Sequence, residues 1–428
     1  MSDSPPFKAP IGTHDVLGVD SARWEGLVAT FAGFAHRYGF HLAITPLFED
    51  VGVFKRGIGE QSEVARKEMY VFEDRGNRTF ALRPEGTAPI VRAFIQHNPT
   101  TPFKAWYFTP AFRYERPQAG RYRQHHQLGV EVLGTDDPTI DVEVVSLAQR
   151  FFEDLGLRRF RLLINSMGHA QCRAAYVALL REYLSQHADE LCDEHATTWS
   201  ENPLRVLDCK NERCVAVTDK APMLIDHLCD DCRAHFDVVR AGLVALGIDA
   251  SVEPRLVRGF DYYSRTTFEF VSDALEGAQN AIGGGGRYDG LVEQLGGKPT
   301  SGIGFGSGVE RLLLTLDAEG VAGAFGAQRE LDIFLVDTVG GEAGSVLLDR
   351  LRHEGYSVDR AYDQRSMKSQ MKLADKSGAR LALLLGAQEL AAQEVTMKDL
   401  RSGDFGTTQE RVAQVDLFAI LAQRLKVT

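Results

Sequence analysis

Two long segments joined by a short polar turn constrain the fold of this 428-residue chain more than any other feature. The segments are "AWYFTPAFRYER" (105–116) and "RYRQHHQLGVEVLG" (121–134), and "PQAG" separates them. Strand-forming residues on both sides of a glycine-containing turn are typical of an antiparallel hairpin. The chain around this hairpin is therefore expected to build a mostly antiparallel sheet.

Changes of pattern along the chain predict three parts. Residues 170–250 are helix-like, contain all six cysteines and lack the strand pattern on either side, so we interpret them as a helical insertion. From Leu331 onward strands and helices alternate, which predicts a separate α/β domain with a largely parallel sheet. We therefore expect an α+β domain over residues 1–325, interrupted by the insertion, and an α/β domain over residues 331–428.

Charge and hydropathy exclude several classes of protein. The formal net charge of −11 argues against indiscriminate nucleic-acid binding, although it leaves room for a partner at a local basic patch. Such a patch lies in the hairpin, at Arg113, Arg116, Arg121 and Arg123. No apolar run approaches the roughly 18 to 20 residues that span a bilayer, and the first residues lack a secretory pattern. We expect a cytoplasmic protein with no membrane partner.

Four of the six cysteines have a spacing that resembles a zinc ribbon. Cys209, Cys214, Cys229 and Cys232 read C-x4-C, fourteen residues, C-x2-C. In a cytosolic protein, cysteines are metal ligands or thiols more often than disulfides. Two interpretations stay open: Zn²⁺ bound by these four residues, or reduced and partly buried cysteines.

The hairpin strands carry a polar face. Residues two apart on a strand share a face. On the second strand this face holds His125, Gln127, Gly129 and Glu131. A glycine there often lets a ligand approach the backbone. Arg113 and Glu115 are expected to share the matching face of the first strand. The alternative is a solvated face with surface ion pairs.

A glycine-rich strand is the second candidate for ligand binding. In "GIGFGSGVER", alternate residues are glycine, so one strand face is bare backbone against which a purine can lie; these are Gly302, Gly304, Gly306 and Gly308. Arg311 then lies near the start of a helix. The GxxxxGK[ST] pattern of a P-loop is missing, and glycine also serves tight strand packing.

Two other segments combine charges with hydroxyl groups. In "LVRGFDYYSRTTFEF", Arg258 suits phosphate or carboxylate oxygens, and Tyr262 and Tyr263 can bond a ligand; a polar strand edge is the alternative. In "LRPEGTAPIVRAF", Glu85 and Thr87 stand where a strand leads into a helix. A carboxylate there can hold an ammonium group or simply cap the helix.

Together these segments resemble the histidyl-tRNA synthetases, a class II aminoacyl-tRNA synthetase family. "TPLFED" resembles class II motif 1, "FRYERPQAGRYRQHHQLGVEVLG" motif 2 and "GIGFGSGVERLLL" motif 3, whereas "RGFDYY" and "RYRQ" followed by "HQLGVE" are specific to the histidine enzymes. The resemblance implies a catalytic domain on an antiparallel sheet of six or seven strands. It also implies a C-terminal anticodon-binding domain and a homodimer formed partly through motif 1.

The resemblance also implies a reaction and roles for named residues. ATP, with Mg²⁺, first activates L-histidine to histidyl-adenylate, and the histidyl group then passes to tRNA(His). Arg113 and Arg258 would be catalytic cations at the α-phosphate. The residues implied at ATP are Arg113, Glu115, Arg121, Arg123, His125 and Arg311. Those implied at histidine are Glu85, Gly86, Thr87, Gln127, Glu131, Arg258, Tyr262 and Tyr263. Arg116 and Gln118 would lie near the tRNA acceptor end.

One position departs from the family pattern. His125 stands where these enzymes usually have a phenylalanine that stacks on adenine, so ATP affinity or its pH dependence is expected to differ. One alternative is a class II synthetase of another specificity, which "RGFDYY" disfavours. A second alternative is a synthetase-like regulatory subunit of ATP phosphoribosyltransferase. Such paralogues are expected to lack the "RGFDYY" segment and the C-terminal domain, and this chain has both.

Overall fold

An eight-stranded sheet is the framework of the first part of the chain. The structure, a computed structural model, describes residues 7–59, 64–257, 262–275, 280–321, 331–340, 342–363, 365–401 and 409–425. It divides into two units, Met1–Gly326 and Ala327–Thr428. The strands of the first unit are β1 (His41–Leu42), β2 (Phe48–Asp50), β3 (Val71–Glu73), β4 (Thr79–Leu82), β5 (Phe103–Phe112), β6 (Gln124–Leu133), β7 (Phe160–Ser166), β8 (Ala250–Val252), β9 (Ser264–Ser272), β10 (Ala281–Arg287) and β11 (Gly302–Gly308).

The large sheet is mostly antiparallel, as predicted. Its strand order is β1-β5-β6-β11-β10-β9-β7-β8. The six inner strands pair antiparallel, whereas the short edge strands β1 and β8 pair parallel with β5 and β7. Strands β2, β4 and β3 form a separate small antiparallel sheet.

The predicted hairpin is formed by β5 and β6, with one difference. Its register runs from Phe103 opposite Leu133 to Phe112 opposite Gln124. Strand β5 ends at Phe112, so Arg113 and Glu115 lie in the connecting loop and do not share a strand face. The Glu115 N–H donates to the carbonyl of Arg113 at 2.8 Å, a tight turn that an extended strand does not allow.

Helices cover one face of the large sheet. The helices of this unit are α1 (Val19–Arg37), α2 (Val51–Ile58), α3 (Thr87–His97), α4 (Thr139–Asp154), α5 (Ala170–Gln186), α6 (Asp193–Thr198), α7 (Leu204–Leu207), α8 (Glu212–Thr218), α9 (Asp230–Ala245), α10 (Leu291–Gln294) and α11 (Val309–Ala318). Phe31 of α1, Phe151 of α4 and Leu312 of α11 share one core with Val130 and Phe305 of the sheet. Because strand side chains alternate, the polar residues of β6 face the other side.

The predicted helical insertion is present. Residues 170–250 contain α5 to α9 and the 3₁₀ turns Ala188–Glu190 and Leu224–His227. Their own core is formed by apolar residues and buried cysteines, among them Tyr176, Leu207, Val217, Cys172 and Cys214.

A buried charge network joins the insertion to the sheet. Asp141 of α4 accepts hydrogen bonds from Arg287 of β10 at 2.6 Å, and its other oxygen lies 2.8 Å from His235 of α9. Asp141 and Arg287 are both fully buried. Burial alone would raise the pKa of Asp141, but His235 and Arg287 hold this pKa below its usual value. Asp141 therefore stays a carboxylate and fixes α9 against the sheet.

The second unit is an α/β domain. Its elements are β12 (Ile333–Asp337), α12 (Glu342–His353), β13 (Val358–Arg360), α13 (Met367–Lys376), β14 (Leu381–Leu385), α14 (Ala387–Ala392), β15 (Glu394–Asp399), β16 (Gln409–Ala413) and α15 (Leu417–Leu425). The strand order is β13-β12-β14-β15-β16. The first three strands are parallel, as predicted.

The prediction of a largely parallel sheet was wrong for β15 and β16, which pair antiparallel. Only residues 386–393 separate β14 from β15, and a parallel return needs about a dozen residues or more. The left-handed backbone of Gln393, with φ of 55°, reverses the chain directly into β15.

Within the described residues, no helix combines the length and apolar character needed to cross a bilayer.

Candidate active site

A cavity of about 440 Å³ lies against the polar face of the large sheet. Ten of the residues singled out in the sequence line it: Glu85, Thr87, Arg113, Glu115, Arg121, His125, Gln127, Tyr262, Tyr263 and Arg311. They come from segments far apart in sequence, which the antiparallel sheet brings together. The cavity is also lined by bare backbone at Gly304, Gly306 and Gly308 of β11. Arg258 lies outside the described residues.

Glu131 lies beneath one end of this cavity and is fully buried. One of its oxygens accepts hydrogen bonds from the hydroxyls of Thr87 at 2.8 Å and Tyr107 at 3.2 Å. The other accepts a hydrogen bond from the Tyr288 hydroxyl at 2.5 Å. Burial raises the pKa of Glu131 to about 8, although the three hydroxyl groups act in the opposite direction. Near neutral pH this carboxyl group therefore tends to carry a proton.

Glycines make the space that this arrangement needs. Gly304 stands opposite Glu131 on the neighbouring strand, and a Cβ there would lie 1.8 Å from a Glu131 oxygen. Gly86 and Gly129 both border the ring of Tyr107, where an added Cβ would lie 2.4 Å and 2.3 Å from ring carbons. Gly86, expected at histidine, is thus a spacer for Tyr107 and does not itself line the cavity as described.

Sequence reasoning missed several cavity residues, among them Tyr107, Tyr288 and Glu269. Tyr107 stands opposite Gly129 in the hairpin, so its ring fills the space over the glycine. Glu269 is a lone carboxylate in the strand "TTFEF", and an acidic residue between two phenylalanines was the available signal. Tyr288 follows the glycines of β10 in "GGGGRYDG".

Glu85 caps α3. Its two oxygens accept hydrogen bonds from the N–H groups of Thr87 at 2.5 Å and Ala88 at 2.8 Å. Burial raises the pKa of Glu85, and these N–H donors partly offset that effect. Of the two roles that the sequence left open for Glu85, the structure shows the helix cap. A carboxylate has about four acceptor positions, so Glu85, which lines the cavity, keeps acceptor capacity for a ligand.

Three arginines line the other part of the cavity. Arg113 donates from Nε to the carbonyl of Pro84 at 2.9 Å, which fixes its guanidinium. Arg121 forms an ion pair with Glu115. Arg311 donates to the carbonyl of Ala281 at 3.0 Å. Burial, and then the charge of Arg121, lower the pKa of Arg311. Three positively charged side chains that line one part of a cavity raise the local positive potential, which favours the binding of a polyanion.

Comparisons with known proteins agree on one family. A family model described as "Histidyl-tRNA synthetase" matches residues 12–312, and one described as "Anticodon binding domain" matches residues 336–424. A histidine–tRNA ligase of Rhodococcus erythropolis is 49% identical over 410 residues, covering 94% of this chain and 96% of that protein. The chain belongs to the histidyl-tRNA synthetases.

Solved structures agree with this assignment. The apo histidyl-tRNA synthetase of Staphylococcus aureus matches with a TM-score of 0.80 and 35% identity, covering 97% of this chain and 99% of that chain. A Bacillus halodurans protein described as an ATP phosphoribosyltransferase regulatory subunit/histidyl-tRNA synthetase matches with a TM-score of 0.59 and 20% identity, covering 82% of this chain and 92% of its own. The second likeness concerns the fold alone, so the regulatory-subunit alternative is the less supported one.

Some residues expected at the nucleotide or tRNA of a histidyl-tRNA synthetase lie outside the cavity as described. Arg123 lies with its guanidinium carbon 4.1 Å from the ring centre of Tyr114, and its Nε donates to the Glu115 carbonyl at 3.2 Å. Arg116 and Gln118 are exposed on the loop between β5 and β6.

The grouping of Cys209, Cys214, Cys229 and Cys232 as one zinc site was wrong. Cys209 and Cys214 lie with one histidine and one other cysteine, and Cys229 and Cys232 lie with a different pair. Each cysteine pair instead converges with a histidine and a cysteine from an earlier part of the chain, so the two pairs do not meet at one point.

His125, the departure from the family pattern, is half-buried and lines the cavity beside the arginines. Burial, and then the charges of Arg113, His126 and Arg311, lower the pKa of His125 to about 3. Because this pKa lies below the ordinary value of about 6.5, the ring is neutral at every pH above about 4. We therefore expect titration of His125 to have no effect on the pH dependence of ATP binding, whereas the smaller apolar area of its ring should still lower ATP affinity.

His125→Phe tests this conclusion. A larger aromatic ring stacks more favourably by about 0.5 to 1.5 kcal/mol, so the KM for ATP should fall about 2- to 10-fold. Since His125 does not titrate near neutral pH, the ratio of mutant to wild-type KM should stay constant from pH 6 to pH 8. Steady-state ATP kinetics across this range measure the ratio, and a change centred near pH 6.5 would contradict the low pKa.

Proposed function

We propose that this cavity carries out the histidine–tRNA ligase reaction of the family to which the chain belongs. The observation that carries the proposal is the division of the cavity into two parts. One part has carboxyl and tyrosine groups suited to an amino acid with a polar ring. The other has three arginines suited to a triphosphate. The chain is a class II ligase that activates histidine with ATP and charges tRNA.

In the first step the histidine carboxylate attacks the α-phosphate of ATP, and pyrophosphate leaves. The attacking oxygen is already ionised, so the step needs no general base. Negative charge builds on the α-phosphate oxygens, and the fixed guanidinium of Arg113 stabilises it. By family likeness Arg258 supplies a second cation at the same phosphate. The adenine lies between His125 and Arg311, against the glycine backbone of β11.

The substrate histidine lies at the end of the cavity away from the adenine. Glu85, Thr87 and Gln127 hold its ammonium and carboxylate groups. Glu131 shares a proton with one imidazole nitrogen, and Tyr263 meets the other. This pairing needs two polar nitrogens on opposite sides of one ring, which other standard amino acids lack. Tyr107 and Tyr288, which line the cavity, orient Glu131 through hydrogen bonds to its two oxygens.

Mg²⁺ is expected with ATP, as the family implies. Its preferred ligands are oxygens, and two carboxylates line the cavity, Glu115 and Glu269. These residues would hold the ion together with phosphate oxygens. When bound there, Mg²⁺ would supply positive charge that offsets the charge of the phosphate groups.

ATP–pyrophosphate exchange with each of the twenty standard amino acids tests the proposed activity. Histidine alone should support exchange, and tRNA should not be required. Exchange with a different amino acid would contradict the assignment of the tyrosine and carboxyl groups to imidazole. Absence of exchange from a folded, ATP-binding protein would favour the regulatory-subunit alternative.

The second unit is proposed to bind tRNA without taking part in activation. Four exposed cations lie on or just before α13, three of them at successive i, i+4 positions: Arg365, Lys368, Lys372 and Lys376. Replacing all four with glutamine should weaken tRNA binding and lower its salt dependence. Each lost phosphate contact reduces the log–log slope by about 0.7 to 0.9, so four contacts predict a reduction of about 3.

Filter binding of tRNA(His) at several salt concentrations measures this slope, and pyrophosphate exchange should be unchanged. Arg411→Gln with Arg424→Gln is the matched control, because these exposed arginines already face Glu394 and Glu410. A slope equal to that of the wild type would remove this face of α13 from the tRNA interface.

We also propose a cytoplasmic homodimer. Apolar side chains are exposed on and beside the small sheet of β2, β3 and β4, including Ile44, Phe48, Val71 and Phe72. Exposed apolar clusters of this kind favour protein–protein contact. Motif 1, which the family uses at its dimer interface, includes Phe48, and sedimentation analysis tests the association.

A further inference from the structure

We propose that the helical insertion binds two structural zinc ions, each held by three cysteines and one histidine. The first set is His169, Cys172, Cys229 and Cys232; the second is Cys192, His195, Cys209 and Cys214. Together the two sets use all six cysteines of the chain. Within each set, the four ligand atoms lie within 4.8 Å of one another.

The distances within the sets suit tetrahedral zinc. Thiolates at two corners around a zinc ion lie about 3.8 Å apart, because each Zn–S bond is about 2.3 Å. The Sγ atoms of Cys172 and Cys232 are 4.0 Å apart, as are those of Cys192 and Cys209. The Nδ1 atom of His195 lies 3.2 Å from the Cys192 sulfur. A disulfide requires about 2.05 Å, so these are converging ligands and not bonded pairs.

Sequence spacing supports the same conclusion. The first set reads H-x2-C and C-x2-C, and the second reads C-x2-H and C-x4-C. Separations of two to four residues within each ligand pair are usual in structural zinc sites. Three of the four pairs stand at the start of a helix, where His169, Cys192 and Cys229 are the N-cap residues of α5, α6 and α9.

The surroundings favour thiolates. A helix N-terminus carries partial positive charge and stabilises a nearby anion. The backbone N–H of Cys229 donates to the Cys172 sulfur at 3.3 Å, and that of Cys192 donates to the Cys214 sulfur at the same distance. Hydrogen bonds of this kind orient metal ligands. Four protein ligands in each set leave no position for substrate, which points to a structural role.

The first set has a direct connection to the histidine end of the cavity. Arg173, next to the ligand Cys172, donates a hydrogen bond to the Tyr263 carbonyl. The N–H of Arg265 donates to the carbonyl of Gly168, next to the ligand His169, at 2.8 Å. Ligands of the first set therefore adjoin the segment that carries Tyr263. The second set ties together α6, α8 and the segment between them, all within the insertion.

Metal analysis of the full-length protein, purified without chelator, tests the proposal directly. We expect two zinc ions per chain in the wild type and one in either Cys172→Ser or Cys214→Ser. His187→Ala is the matched control, because His187 lies in the insertion but outside both sets, and it should retain two. Substituted Co²⁺ should give the absorption of a tetrahedral cobalt–thiolate site, with half the intensity in each cysteine variant.

Wild-type protein that contains no zinc and shows no cobalt–thiolate absorption after reduction would overturn the proposal. If the wild-type protein binds only one zinc ion, and each of Cys172→Ser and Cys214→Ser abolishes its binding, the division into two sets would be overturned. These readouts need no enzymatic activity, so they stand apart from the ligase assignment. The two sets also predict different kinetics. Cys172→Ser should raise the KM for histidine several-fold, whereas Cys214→Ser should lower thermal stability with the KM unchanged.

Discussion

Replacing Arg113 with alanine is expected to slow histidyl-adenylate formation by about 10²- to 10³-fold. The Pro84 carbonyl fixes the Arg113 guanidinium in the cavity before any ligand arrives. A preorganised charged donor at an oxygen that gains charge in the transition state lowers the activation free energy by roughly 3 to 4 kcal/mol. Histidine binding should change little, because the charge that Arg113 meets belongs to ATP.

Arg113→Lys sharpens this test. Lysine keeps the positive charge but loses the planar group that bonds two oxygens at once. Its rate should therefore lie between those of wild type and Arg113→Ala. Arg78→Ala is the matched control, because Arg78 is exposed and pairs with Asp74 outside the cavity. Its rate should equal that of wild type.

Single-turnover formation of histidyl-adenylate measures the effect without interference from product release. Arg258→Ala, tested in parallel, should show a loss of similar size if the two arginines act on one phosphate. A loss of less than tenfold in both variants would mean that another cation stabilises the α-phosphate. A lower melting temperature in Arg113→Ala would instead assign Arg113 a structural role through Pro84.

The sequence predicted the parts of the fold that depend on local pattern. Strands β5 and β6 were identified because their alternation and turn residues lie within thirty residues of each other. The glycines of β11 were identified for the same reason, since alternate positions on one strand share a face. The arginines of the hairpin loop were visible as a local concentration of charge, although the end of β5 at Phe112 was not.

Contacts between distant segments were not predictable in this way. Glu131 receives hydrogen bonds from Tyr107 of β5, from Thr87 at the start of α3 and from Tyr288 just after β10. Cysteine spacing alone paired Cys209 and Cys214 with the next two cysteines along the chain. The structure brings in His195 and Cys192 instead, and a histidine ligand carries no signal of its own in the sequence.

Glu131→Gln is expected to raise the KM for histidine by about one to two orders of magnitude. A charge-assisted hydrogen bond to imidazole contributes about 1.5 to 3 kcal/mol, and glutamine offers neither charge nor an exchangeable acid proton. Burial raises the pKa of Glu131 to about 8, so in the empty cavity the group carries a proton near neutral pH. The Glu131–imidazole pair can then form with one shared proton and no net proton uptake.

This proton gives the prediction a pH dependence. Above about pH 8 the empty cavity loses the Glu131 proton, so histidine binding must take one up, and the affinity of the wild type should fall as pH rises. Below about pH 6.5 the imidazole of free histidine is itself protonated, so binding must release a proton. Affinity should therefore be greatest between these values. The glutamine variant should lack the fall that begins near pH 8.

Two KM values, a melting temperature and a pH profile separate recognition from a purely structural role. If Glu131 only ties Thr87, Tyr107 and Tyr288 together, glutamine should lower the melting temperature and shift the KM for ATP and for histidine in parallel. Glu49→Gln is the matched control, because Glu49 is also a buried carboxylate but pairs with Arg92 away from the cavity. We expect Glu131→Gln to change the histidine KM selectively and Glu49→Gln to change stability alone. An unchanged histidine pH profile in Glu131→Gln would show that a different group holds the shared proton.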